Sequence, residues 1–448
     1  MLGPKCSRFG SFEFLAERGE LRKNGRKLHA QHQELLGLEL LIEKRGIRVS
    51  RRELTEKIWR NTSVGENNLN VVISRLRTLL GDDSQNSRFI KTVGRDAYCF
   101  VADVFERSFE SSPRELAHTL CLRVRHGLEV RTPQSVKLSL DLARQAVAAD
   151  PTYSLAYGGL ASALIVAALL AVMPPGDAFP RARAAARRAL ENEPDMADAI
   201  VSEAWVQLCF DRNFAAATKG FDQALALNAD NPFAHNGRSL LLLALNRPEE
   251  AISAMKAAWG ADALSPPLNA LLSDAYYYNR EFDKAIEQGQ KAVEWNPAFP
   301  VAHACLGKAY LQAGHGSEAI QHLELACHQS GDSCAMLGLL AYAYGKNMAP
   351  ASVMPIVERL LIHAETAYVP PYFLGLAYLG LGDAEKSLAW IDKAIEENSH
   401  WVLFLRTDPA FDELRSLARF GDLIERVYIQ EGLRKSEPGH ASQQAGQI

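Results

Sequence analysis

The chain has 448 residues, too many for one ordinary hydrophobic core, so two or more domains are expected. The formal net charge of −4 is uninformative, but its distribution is not: residues 1–105 hold 19 Lys+Arg against 13 Asp+Glu, leaving 30 against 40 for the remainder. A mildly basic module joined to an acidic one confines any nucleic-acid contact to the N-terminus. The seven cysteines (Cys6, Cys99, Cys121, Cys209, Cys305, Cys327, Cys334) are odd in number and form no CxxC pair, which excludes a disulfide framework and points to reduced thiols in a cytoplasmic protein. MLGPKCSRFG runs into charged sequence rather than the apolar core of a signal peptide.

Before Gln31 the pattern is short and strand-like. FGSFEFL alternates, and ELRKNGRKL carries an Asn-Gly turn, so a small antiparallel sheet is expected. QHQELLGLELLIEKRG (31–46) reads as an amphipathic helix ended by Gly46. In VSRRELTEKIW (49–59), Ser50 and Glu53 form a capping box that starts a second helix. After the turn RNTSVGE comes NNLNVVISRLRTLLG (67–81). At about 100° per residue it gathers Leu69, Val72, Ile73, Leu76, Leu79 and Leu80 on one half. Asn67, Asn68, Asn70, Ser74, Arg75, Arg77 and Thr78 fall on the other, with Val71 the one apolar intruder. Such a helix is either a solvated amphipathic helix or one that lies in a DNA major groove. In the groove, Asn and Arg pair with base edges, Arg grips phosphate, and Val touches a thymine methyl. RFIKTV (88–93) and AYCFVADV (97–104) then bracket a hairpin with Lys91 and Arg95 at or near its tip.

Strands, helix, helix, turn, helix and hairpin is the order of a winged helix-turn-helix module. VSRRELTEKIW, ENNLNVVISRLRTLLGDD and RFIKTVGRDAYCF resemble the DNA-binding domain of OmpR/PhoB-type response regulators, and more closely the stand-alone versions fused to repeat domains. The resemblance implies that Asn67 to Leu80 is the recognition helix, with Arg75 and Arg77 as DNA-contacting cations. It also implies that Arg60 to Glu66, with Arg60, Asn61, Thr62 and Ser63, is the loop that in relatives touches RNA polymerase. The wing departs from the pattern: relatives read Arg-x-Gly-Tyr-Arg-Phe, whereas this chain has Arg95, Asp96, Ala97, Tyr98, Cys99 and Phe100. A glycine and a cation are missing, and Asp96 repels phosphate.

From about residue 114 the texture becomes Ala- and Leu-rich. Ala-Tyr recurs at 275–276, 309–310, 343–344 and 377–378, a period of 34 that Leu272, Leu306, Leu340 and Leu374 share. Small residues keep the step at Ser273, Gly307, Ala341 and Gly375, as do Ala251, Ala285 and Ala319, and Ala258, Ala292 and Ala326, with a departure at Leu360 before Ala394. Small side chains let two antiparallel helices approach, and Leu and Tyr fill the space between pairs. This resembles the tetratricopeptide repeat over 114–430, with Pro151, Pro194, Pro232 and Pro266 opening units and MPPGDAFP as an insertion. LAYGGLASALIVAALLAVM (155–173) has no charge over a bilayer's width, but it falls where a repeat helix is due, so no membrane span is expected. AIEENSHWVLFLRTDPAFDELRSLARF looks like the terminal unit of the same regulators, and 431–448 reads as a disordered tail. Residues 106–113 are expected to be the linker.

No phosphate loop, GxSxG or HExxH is present, so no catalytic residue, metal site or cofactor is expected. His29 and His32 have ligand-like spacing without a third ligand, Asp82 and Asp83 follow a helix end, and Cys99 has no resolving cysteine near it in sequence. Each is expected to be structural. Tyr276, Tyr277, Tyr278, Trp295 and Tyr310 are expected to pack between helices. The fold expected is mainly α: an N-terminal winged helix-turn-helix (α+β) followed by an α-solenoid of tetratricopeptide repeats. The layout is similar to HilA-like regulators. It implies a non-enzymatic transcription regulator on double-stranded promoter DNA, with RNA polymerase, a homodimer on DNA, and a protein or peptide on the repeats as partners. The family link is to phosphorelay signalling, although no receiver domain precedes the module in this sequence. The competing reading is an interaction scaffold whose winged helix binds polymerase or another protein instead of DNA.

Overall fold

The computed structural model describes residues 5–16, 19–59, 66–83, 86–94, 96–108 and 112–433. The chain divides into two compact units, Met1–Ser112 and Pro113–Ile448. The loop at Arg60, Asn61, Thr62 and Ser63, the wing residue Arg95, and the tail from 434 lie outside the described residues.

The first unit opens with β1 (Lys5–Phe9), β2 (Phe12–Leu15), β3 (Glu20–Lys23) and β4 (Arg26–Lys27), which pair as an antiparallel meander. Helices α1 (His32–Glu43), α2 (Arg51–Trp59) and α3 (Glu66–Leu80) follow, with a two-residue strand β5 (Val49–Ser50) before α2. The hairpin β6 (Ile90–Val93) and β7 (Ala97–Phe100) joins β5 in a three-stranded sheet ordered β5-β7-β6. The expected capping box is present: the Ser50 N–H donates to Glu53 Oε2 at 2.9 Å, and the Glu53 N–H donates to Ser50 Oγ at 3.2 Å. The core face of α3 is as its periodicity requires, with Leu69, Val72, Ile73, Leu76 and Leu80 buried. Phe9 meets Phe89 and Phe100 edge-on at 5.6 and 5.1 Å, and these rings tie the meander to the hairpin.

The linker expected at 106–113 is corrected. Residues Phe105–Ser108 form a strand, β8, antiparallel to β1 with Lys5 opposite Ser108, which completes the five-stranded sheet. A helix begins at Pro113. Phe-Glu-Arg-Ser is a four-residue run with one apolar member and no alternation, so it carries no strand period; pairing with β1 satisfies its backbone groups.

The second unit contains, among the described residues, eight helix pairs: α4 (Pro113–Val130) with α5 (Pro133–Ala149), α6 (Ser154–Leu169) with α7 (Pro175–Asn192), α8 (Ala197–Cys209) with α9 (Phe214–Leu227), α10 (Pro232–Ala244) with α11 (Pro248–Ala261), α12 (Pro266–Tyr278) with α13 (Phe282–Trp295), α14 (Pro300–Gln312) with α15 (Gly316–Ser330), α16 (Cys334–Lys346) with α17 (Val353–His363), and α18 (Pro371–Gly380) with α19 (Ala384–Glu396). The small residues mark the close approaches. A Cβ on Gly307 would lie 2.6 Å from Leu323 Cγ, and one on Gly375 2.9 Å from Ile391 Cδ1. At the equivalent position Ser273 Oγ donates to the Ala285 carbonyl at 2.7 Å. From α8 onward the turn inside each of the last six pairs holds one left-handed residue at the same 34-residue step: Arg212 (φ 50°), Asn246 (58°), Arg280 (62°), Gly314 (85°), Met348 (58°) and Gly382 (77°). Only two of the six are glycine, which hid this signal in the sequence.

MPPGDAFP is not a loop insertion. Pro174 is the N-cap of α7 and Pro175 its first residue, so the extra length goes into an 18-residue α7 after a 16-residue α6. Pro232 and Pro266 begin helices, whereas Pro151 and Pro194 lie in turns ahead of α6 and α8. Among the described residues no helix is long and apolar enough to cross a membrane. Tyr276, Tyr277 and Tyr278 are buried, while Trp295 is 51% exposed, contrary to the packing role expected of it.

Beyond α19 the chain runs through two 3-10 turns, His400–Phe404 and Pro409–Leu414, into α20 (Ala418–Leu433), which extends past the boundary expected at 430. This segment packs back onto the first helices of several pairs. Tyr278 stacks on Phe404 with centroids 4.7 Å apart, and Tyr342 Oη donates to the Ala410 carbonyl at 3.2 Å. Tyr277 Oη and Tyr372 Oη each donate to the buried Asp408 carboxylate at 2.9 Å. Burial pushes the Asp408 carboxyl above the usual carboxylate range, opposed chiefly by the nearby Lys308 ammonium.

Candidate nucleic-acid interface

Leu69, Val72, Ile73 and Leu76 anchor α3, which turns Asn68, Asn70, Val71, Ser74 and Arg75 outward. Val71 is 48% exposed in the middle of this strip, flanked by Asn70 and Ser74. Asn67 sits in the first turn of α3. Lys91 is exposed on β6. The strip thus presents amide, hydroxyl and methyl groups from one helix face, with a cation on the adjacent hairpin.

The two arginines are arranged differently from the sequence expectation of a matched pair. Arg75 remains exposed, and its Nη1 donates to Gln31 Oε1 at 2.9 Å, 4.0 Å from Glu34 Oε1. Arg77 is half-buried and folds over the hairpin: Nε and Nη2 donate to the Ile90 carbonyl at 3.3 and 2.8 Å, and Nη2 also donates to Thr92 Oγ1 at 2.8 Å. These bonds lock α3 to β6.

Asn70 is held by two residues that periodicity did not single out. Arg51 Nη2 donates to Asn70 Oδ1 at 2.7 Å, Arg51 Nη1 to Tyr98 Oη at 2.9 Å, and Tyr98 Oη to Asn70 Oδ1 at 3.3 Å. The sequence contained both residues inside the quoted motifs, but their partnership joins α2 to β7 across 47 positions and no local pattern encodes it. At the wing, Asp96 is paired with the Arg48 guanidinium, so its charge is partly neutralised. Asp82 caps the entry to the hairpin: its Oδ1 accepts from the Arg88 N–H at 2.6 Å and its Oδ2 from the Ile90 N–H at 2.7 Å, the turn role expected of it. Cys99 is a free, half-buried thiol.

Residues 25–100 match the family model described as transcriptional regulatory protein, C terminal. Residues 211–266, 271–333 and 372–400 match tetratricopeptide-repeat models. The chain carries an OmpR/PhoB-type DNA-binding domain followed by tetratricopeptide repeats, two families that are not enzymes. Among solved structures, the DNA-binding domain of CadC from E. coli is similar at 23% identity, covering 24% of this chain and 100% of that one, with a TM-score of 0.21. The Cut9–Hcn1 hetero-tetramer of APC/C is similar at 16% identity, covering 67% and 54%, with a TM-score of 0.46. PilW, a type IV pilus biogenesis factor, is similar at 19%, covering 46% and 95%, with a TM-score of 0.36. No curated protein matches.

Proposed function

We propose that the chain is a cytoplasmic transcription regulator that docks α3 in the major groove of promoter DNA and receives a signal through its repeat unit. The observation that carries this is the outward strip Asn70, Val71 and Ser74 on a helix whose opposite face is core. Asn70 and Ser74 supply hydrogen bonds to base edges, Val71 supplies contact to a thymine methyl, and Arg75 and Lys91 supply phosphate contacts. Asn67, in the first turn of α3, and Arg95 are assigned DNA contacts from the family resemblance and the sequence alone. Arg77 acts by holding α3 against β6. The domains are assigned as 1–112 for the DNA-binding unit and 113–433 for the repeats. RNA polymerase at 60–63, a homodimer on DNA, a protein or peptide on the repeats, and a link to phosphorelay signalling follow from the family alone.

The test is capture of genomic fragments by the full chain at several salt concentrations. Retention that falls steeply with salt and is lost in Asn70→Ala supports the reading; salt-independent retention, or none at low salt, sinks it. One observation favours the scaffold reading: Arg77 is committed to bonds inside its own unit, and the wing has Ala97 and Cys99 where relatives present a glycine and an arginine, beside the carboxylate of Asp96. Retention of polymerase subunits without DNA would select it.

A further inference from the structure

A cavity of about 1050 Å³ lies within the repeat unit, between α4 and α6 on one side and the leading ends of α8, α10, α12 and α14 on the other. It is in the size range of small-molecule sites. Its walls are largely apolar, with Leu155, Val166, Phe233, Leu268 and Leu271 facing it. The C-terminal segment 400–414, which covers the first helices of later pairs, does not line it.

Arg131, at the turn after α4, lines this cavity and is half-buried there. Its guanidinium makes no hydrogen bond or ion pair with any described residue. Burial lowers its pKa, with the Cys305 thiol of α14 the neighbouring group that acts against this. A desolvated cation without a counter-ion is costly, and an anion from outside relieves that cost. Of the acids around the chamber, Asp198 Oδ1 accepts from Asn231 Nδ2 at 2.8 Å, Glu129 faces His126 at 3.9 Å, and Asp230 and Asp262 are exposed. The leading end of α12 adds positive potential: its N-cap Ser265 makes no side-chain capping bond, and Pro266 and Pro267 leave the Leu268 N–H as the first donor of the helix.

We propose that this chamber binds a small organic carboxylate with an apolar body, the carboxylate on Arg131 and the body against Leu155, Leu268 and Leu271. The assignment deepens the reading of the repeats as the signal-receiving unit and rests on it for its biological meaning, though not for its chemistry. A charged end on Arg131 gives a preference for the carboxylate over the alcohol of equal length, because only the former neutralises the guanidinium.

The experiment is calorimetric titration of the full chain with sodium octanoate and, separately, with 1-octanol. One octanoate per chain is expected, bound about tenfold or more tightly than octanol. Arg131→Gln should erase that preference, Arg131→Lys should retain part of it, and Leu271→Trp, which fills the chamber, should weaken both ligands. Equal affinity for the two compounds, no binding of octanoate, or wild-type octanoate affinity in Leu271→Trp overturns the proposal, even if Arg131→Gln does not fold. Promoter retention is measured on the same preparations. A chain that holds DNA and ignores octanoate loses only the ligand assignment, and one that binds octanoate but no DNA keeps it and loses the regulator reading.

Discussion

Arg51, the first residue of α2, donates from Nη2 to Oδ1 of Asn70 on α3 at 2.7 Å. With Tyr98 also donating to that oxygen, the acceptor end of the amide is occupied inside the unit. The Nδ2 donors of Asn70 are then the end offered to a duplex, which suits a purine N7 or a phosphate oxygen. Arg51→Gln is expected to weaken promoter binding about fivefold, the value of one hydrogen bond of about 1 kcal/mol. Asn70→Ala should cost at least as much, and the double variant no more than Asn70→Ala alone, since Arg51 acts through Asn70. Fluorescence anisotropy on a single labelled fragment measures all three; additive losses would show that Arg51 contacts DNA on its own account.

Arg77 and Lys91 should separate under salt. The Arg77 guanidinium is held by the Ile90 carbonyl and Thr92, so Arg77→Gln is expected to loosen the hairpin, lower the melting temperature and reduce affinity with the salt slope unchanged. Lys91 is exposed, and Lys91→Gln should leave the melting temperature alone while reducing the salt slope by about one. A slope change in Arg77→Gln with normal melting would reassign Arg77 to the phosphates.

The parts legible in the sequence were those with a local period. The α3 core face follows from 3.6-residue spacing, the cap of α2 from Ser50 and Glu53, and the helix pairs from a 34-residue step. What stayed hidden depends on distant partners. The bond of Arg212 Nη2 to the Ile395 carbonyl, that of Tyr277 to Asp408, and the pairing of Lys5 on β1 with Ser108 on β8 each join residues more than a hundred positions apart. The arginines of α3 show the same limit: a wheel places both at the edge of the polar arc, but only the position of β6 decides that one of them is spent on the hairpin.

Gly307 tests the repeat geometry. A Cβ there would sit 2.6 Å from Leu323 Cγ and 3.1 Å from the Ala319 carbonyl, and the backbone contact cannot yield as a side chain can. Gly307→Ala is expected to destabilise the repeat unit by about 1–3 kcal/mol, the usual range for overpacking. Urea unfolding followed by circular dichroism checks this, with Gly382→Asn as a control: Gly382 has open space around it and a left-handed backbone that asparagine tolerates.

Asp408 is expected to be costly to truncate. Asp408→Ala would leave the Tyr277 and Tyr372 hydroxyls and the Ala410 N–H without their acceptor in a buried site. A loss of about 3–5 kcal/mol is expected, because removing one member of a buried charged network strands the others. Limited proteolysis should then cut within 400–414 first. Uniform cleavage across the repeats would show that the segment is not secured mainly by Asp408.

His400 sets the acid limit of the same segment. It is buried, and burial lowers its pKa to about 3, well under the ordinary histidine value. The folded state therefore keeps the ring neutral, with no cost above about pH 6.5; below that the unfolded chain takes up a proton that the folded chain refuses. Stability should fall by about 1.4 kcal/mol per pH unit, or about 2 kcal/mol between pH 6.5 and 5. His322, whose pKa is also lowered by burial and by His303, adds a loss of the same sign. Asp408 opposes both, because its raised pKa returns stability as pH falls through that value toward the unfolded one. His400→Gln should flatten the decline between pH 6.5 and 5 in urea titrations of the full chain, while a parallel shift of the whole curve would place the acid sensitivity elsewhere.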